Sequence, residues 1–150
     1  MDVFIARELL AAGHVTPYGL AVDHRRVLPG VYAPKRTPLS LDDRIAAAWL
    51  WSRRRGVVSG WAASALHGAK WVDPNTPIEL NLAHNKSPSG VITRRDTLID
   101  DEITQLKAMA VTTVERTAFP SPAEVRWARR CNASTRLLGR RISPRTMCCR

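Results

Sequence analysis

The side chains able to do chemistry fall in a few places. Asp100, Asp101 and Glu102 are three consecutive carboxylates, the groups that metal-dependent nucleases use. Such a centre needs carboxylates converging from separate elements, with a lysine nearby. Consecutive acids point in different directions, so a turn or a helix N-terminus is expected here. Ser59, Ser64 and His67 form no recognisable triad. His67 stands just before Gly68, where a packed or dipole-facing histidine is expected rather than a ligand. Cys131, Cys148 and Cys149 are odd in number and two are adjacent, giving neither a disulfide framework nor a zinc spacing. Glycine-rich phosphate loops and nucleophile elbows are missing as well. The sequence therefore points to no catalytic residue, cofactor or metal.

What is left is basic and aromatic. Tyr18, His24, Arg25 and Arg26 lie close together, and with Asp23 they would form the exposed polar set of a short helix. A helix of this kind, entering the major groove, is how a helix-turn-helix reads duplex DNA. The competing reading is that Arg25 and Arg26 solvate a helix end and oppose its dipole. Arg53, Arg54 and Arg55 precede Gly56. That arrangement suits a helix C-terminus, and it could also serve as a phosphate patch.

The elements that must hold these residues follow from periodicity and punctuation. Residues 3–12 predict a helix ending at Gly13. Thr16-Pro17 predicts an N-cap followed by proline at the first helical position, opening a second helix to about His24. Residues 25–28 and 31–33 flank Pro29-Gly30 and predict a small hairpin. After a linker at 35–40, Ser40 or Asp42 should cap a helix over Leu41–Arg54 with Ile45, Ala48 and Trp49 on one face. Val57-Val58 reads as a short strand, and Ser59 as the cap of a helix over Gly60–His67. Ile78, Leu80 and Leu82 alternate with Glu79 and Asn81, predicting a strand with one buried face. A turn at Ser87–Gly90 leads to a return strand at Val91–Thr93. Residues 110–112 read as another strand, and Thr113 as the cap of a helix that stops before Pro120 and Pro122.

The composition, 45% apolar and 24% charged, is that of a globular protein. The longest apolar run, Ile45–Trp51, is far short of the roughly 20 residues that cross a membrane, and a soluble cytoplasmic protein is expected. The net charge of +10 is unevenly placed: residues 1–119 carry only +3 and residues 120–150 carry +7. The body's DNA reading therefore cannot rest on overall charge.

Four stretches in order carry a resemblance: Leu28–Ala33 (LPGVYA), Val58–Val72 (VSGWAASALHGAKWV), Pro77–Leu80 (PIEL) and Val111–Phe119 (VTTVERTAF). Together they resemble the AbiEi-type antitoxin family. They also resemble related proteins in which the same N-terminal part precedes a very-short-patch-repair-like endonuclease domain. The resemblance covers residues 1–119. It implies an α+β chain, with a winged helix-turn-helix at 1–33 and a small α/β antitoxin-like core at 40–119. It further implies double-stranded DNA and a nucleotidyltransferase-like toxin as partners. Tyr18, Arg25, Arg26 and the Pro29-Gly30 turn fall at the recognition and wing positions. The catalytic carboxylates of the nuclease-bearing relatives lie in a later domain and map to no residue here.

After Phe119 the likeness ends in a tract rich in Arg, Ser, Thr and Cys. That composition predicts a disordered tail, or one translated in a shifted frame. Three functions follow: a DNA-binding antitoxin-like regulator, a catalytically empty remnant of a two-domain endonuclease-like protein, and a toxin-binding interaction module.

Overall fold

Thr16 and Pro17 set the first well-defined helix start. The Thr16 hydroxyl accepts a hydrogen bond from the Gly19 amide at 3.0 Å, and Pro17 fills the first helical position, where its missing N–H matters least. The structure, a computed structural model, describes residues 3–83 and 86–118. Its first elements are β1 (Phe4–Ile5), α1 (Ala6–Ala11), α2 (Pro17–Asp23), β2 (His24–Leu28) and β3 (Val31–Pro34). The three strands form one antiparallel sheet in the order β1-β3-β2. The helix expected over 3–12 starts late, because Phe4 and Ile5 pair with Tyr32 and Val31. Both residues favour a pleated surface, no side chain caps the helix before Ala6, and the open edge of β3 takes them.

α1 ends in a Schellman turn. Gly13, at φ +70°, donates to the Leu10 carbonyl and His14 to that of Leu9. The same pattern closes α4 (Gly60–Leu66), with Gly68 at φ +98° in the glycine position. It also closes α3 (Leu41–Trp51), where Arg53 donates to the Leu50 carbonyl and Arg54 to that of Trp49. Here the left-handed position is held by an arginine: Arg53 has φ +57° and Arg54 +61°. The helix thus stops three residues before the expected Arg54. At its other end Ser40, rather than Asp42, is the cap. Its hydroxyl accepts from the Asp43 amide at 3.1 Å, while the Asp43 carboxylate takes the Ser40 amide.

The second sheet holds β4 (Val57–Ser59), β5 (Ile78–Asn81), β6 (Val91–Arg94), β7 (Ile103–Leu106) and β8 (Met109–Thr112), in the order β6-β5-β4-β8-β7. β4 pairs antiparallel with β5 and parallel with β8. The expected return strand is not antiparallel. β6 runs parallel to β5, with Ile78 opposite Val91, because residues 82–90 carry the chain back to the start of β5 before β6 begins. Glu79, expected on an exposed face, is only 8% exposed. Gly60, at φ +59°, makes room for it: a Cβ there would lie 2.7 Å from the Glu79 carboxyl carbon. Arg94 Nε donates to that carboxylate at 2.6 Å. Ser59 does not cap α4 with its side chain; its hydroxyl is buried without a partner. α5 (Val114–Ala118) follows Thr113, whose hydroxyl accepts from the Arg116 amide at 3.4 Å.

Ile45, Ala46, Ala47 and Ala48 of α3 are fully buried and share one core with Val31 and Ala33 of the first sheet and Val58 and Leu80 of the second. Three alanines in a row remove bulk where α3 meets strands of both sheets. The chain is thus α+β, with five α-helices and two sheets among the described residues, and residues 1–119 form one compact unit. No helix there is long and apolar enough to cross a membrane. The tail at 120–150 and its cysteines lie outside the described residues.

Candidate nucleic-acid interface

α1, α2 and the β2–β3 ribbon follow one another with no intervening element, so the four sequence-predicted residues share a small region. Tyr18 stands in the first turn of α2 and is 79% exposed. Val22, one turn further on, and Ala21 are also exposed, so the outer side of α2 is mostly apolar around one phenol. His24, Arg25 and Arg26 do not sit on the helix. They form the start of β2, because α2 ends at Asp23 and His24 is already extended at φ −120°, ψ 150°.

The His24 ring is half-buried. It stands edge-on to Phe4, with centroids 5.0 Å apart, and its Nδ1 donates to the Gly19 carbonyl at 3.3 Å. The ring thereby fastens α2 to β1. Arg25 is exposed, and one guanidinium nitrogen donates to the Thr37 carbonyl at 3.1 Å, holding the linker before α3. Arg26 is exposed too, and no hydrogen bond or ion pair engages it among the described residues. Successive strand residues project to opposite faces, so Arg25 and Arg26 serve different sides of the ribbon. The end of α2 is neutralised by neither arginine. Lys35 does so, its Nζ donating to the Ala21 and Val22 carbonyls at 2.7 Å each. No local signal marks Lys35 for this role, since it is remote in sequence from α2 and is placed by β3.

The other candidates are accounted for by packing. His67 Nε2 donates to the Thr112 carbonyl at 2.8 Å and ties α4 to β8. Asp100–Glu102 form a single 3-10 turn, as a turn was expected. Glu102 accepts from the Ile99 amide at 3.2 Å, and Arg116 lies 3.4 Å from Glu102 and 4.0 Å from Asp96. Among the described residues no three His, Cys, Asp or Glu side chains converge as a metal would require.

Arg53 and Arg55 line a groove with Trp51, Ser52, Lys86, Ser87 and the turn residue Pro29. The expected helix C-terminus would have used these arginines against its own dipole. In the structure the chain has already left the helix, and only Arg54 makes a charged pair, with Glu8. Compared with family models, curated proteins and solved structures, the chain matches none.

Proposed function

We propose that the protein is a DNA-binding, antitoxin-like regulator whose winged helix-turn-helix is built from residues 3–34, with α2 as the recognition helix and the β2–β3 ribbon as the wing. The observation that carries this reading is the strand order β1-β3-β2 around two short consecutive helices. That order puts a helix with an exposed face directly before a two-stranded ribbon, which suits major-groove entry by one and backbone contact by the other. Tyr18 is the base-facing group and Arg26 a phosphate contact, with exposed Arg7 on α1 a second. His24 and Arg25 support the surface by holding α2 and the linker. Titration of the chain's own upstream duplex, and of an unrelated one, tests this. Arg26→Ala should weaken both about equally and flatten the salt dependence by about one contact. Tyr18→Ala should narrow the difference between the two duplexes. Wild-type protein with no salt-dependent duplex binding would end the reading.

A second reading, capture of a nucleotidyltransferase-like toxin by residues 40–119, is favoured by Trp61 and Trp71, which are 61% and 95% exposed on either side of the α4 core. Exposed tryptophans of this size are enriched at protein interfaces. Co-purification with the neighbouring gene product, lost in Trp61→Ala and Trp71→Ala, is its test.

A further inference from the structure

The groove beside the turn after α3 combines charge, shape and backbone strain. Its volume is about 670 Å³, within the range of ligand-binding clefts. Among the described residues three cations line it, Arg53, Arg55 and Lys86, and no carboxylate does. Ser52 and Ser87 add hydroxyls, and Trp51 supplies part of an aromatic wall.

The backbone is left-handed at both Arg53 and Arg54. Three helices in this chain end in the same Schellman turn, and two of them put glycine at the left-handed position. An L-residue there costs about 1–2 kcal/mol, and glycine would relieve most of it. At Arg53 the strain is kept, and the residue lines the groove with no side-chain hydrogen bond or ion pair among the described residues. Its neighbour Arg54 spends its charge on Glu8, while Arg53 and Arg55 do not. At Arg54 the Glu8 pair holds such a conformation, and Arg53 has no such side-chain partner among the described residues.

We propose that this groove binds phosphate esters and that its occupant is the DNA backbone, extending the surface past the wing. Pro29, in the β2–β3 turn, forms its rim, so a strand lying along the ribbon runs into it. Guanidinium groups suit this ligand because their fork of donors matches phosphate oxygens. The choice of occupant rests on the DNA reading above, whereas the phosphate chemistry stands on the groove alone.

The experiment titrates cognate and unrelated duplexes against full-length wild type and the Arg53→Gln/Arg55→Gln variant over a range of salt concentrations. Loss of two phosphate contacts should reduce the slope of log K against log salt by about 2, and by a similar amount for both duplexes. Arg53→Gly, which relieves the backbone, should melt no lower than wild type and still lose about one unit of slope. In parallel, inorganic phosphate is titrated while the Arg53 and Arg55 side-chain resonances are followed by NMR. Shifts at both arginines, with no duplex binding by wild type, would keep the groove as a site for small phosphate esters and remove the DNA reading. Unchanged slopes in well-folded variants, with resonances that phosphate does not move, would overturn the proposal.

Discussion

Arg54 grips both carboxylate oxygens of Glu8, each at 2.7 Å, joining α1 to the chain that leaves α3 across 46 residues of sequence. Two parallel hydrogen bonds of this kind fix orientation as well as charge. Both side chains are about half exposed, so the pair is worth little in free energy and more in register.

The pair makes stability depend on acid. The hydrogen bond from Arg54, opposed by desolvation and aided to a smaller extent by its charge, holds the Glu8 carboxyl below the usual range. A carboxyl whose folded pKa is depressed stabilises the fold above its unfolded value of about 4.3, and that contribution is lost as pH falls through the folded value. Wild type should therefore melt slightly higher than Glu8→Gln at pH 7, and the two should converge as pH falls through the depressed folded value of Glu8. Thermal melts of both proteins between pH 7 and pH 3 provide the check, and a gap of constant size would rule out this origin.

The β7–β8 hairpin offers a simple gain. Its two-residue turn, Lys107-Ala108, has φ +50° and +64°, the conformation that favours Asn-Gly. Lys107 is anchored to Asp42, so Ala108 is the position to change. Ala108→Gly should stabilise the protein by about 0.5–1 kcal/mol, since relief of strain exceeds glycine's extra freedom in the unfolded chain. Denaturant unfolding should show a higher midpoint with an unchanged m-value.

Gly60 tests the opposite case. Its positive φ and its contact with the Glu79 carboxylate both exclude a side chain. Gly60→Ala should destabilise by about 2–4 kcal/mol, combining left-handed strain with overpacking against a buried ion pair. A loss under about 0.5 kcal/mol in urea unfolding would mean that Glu79 moves aside at little cost.

These positions also show what the sequence could reveal. The Pro29-Gly30 turn announced its hairpin, and Thr16-Pro17 its helix, because each residue's local chemistry demands that geometry. The Lys107-Ala108 turn carries no such residue, so the β7–β8 hairpin stayed hidden behind the acidic run. Alternation at residues 78–82 located β5 and could not report that α4 packs over its second face, which is why Glu79 was placed outside. Tyr18 was found on its helix. His24 was put one element too early, at the end of α2, while Arg25 and Arg26 were counted both in the helix's polar set and in the first run of the hairpin, where β2 has them. The three arginines before Gly56 offered a phosphate patch as one of two readings, whereas the non-glycine Schellman turn beside the groove has no local sequence signal.

The parallel pairing of β4 with β8 has a consequence for synthesis. Val58 meets Val111, so the centre of the larger sheet cannot close until the chain has been made through Thr112. Contacts this distant in sequence form late, and until then the flank of β4 that awaits β8 is an unpaired edge open to other nascent chains. The hairpin at 24–34 needs no such wait. The newborn protein therefore carries its first hairpin before it has a finished scaffold to hold it, and translation speed across residues 60–112 governs how long that vulnerable interval lasts.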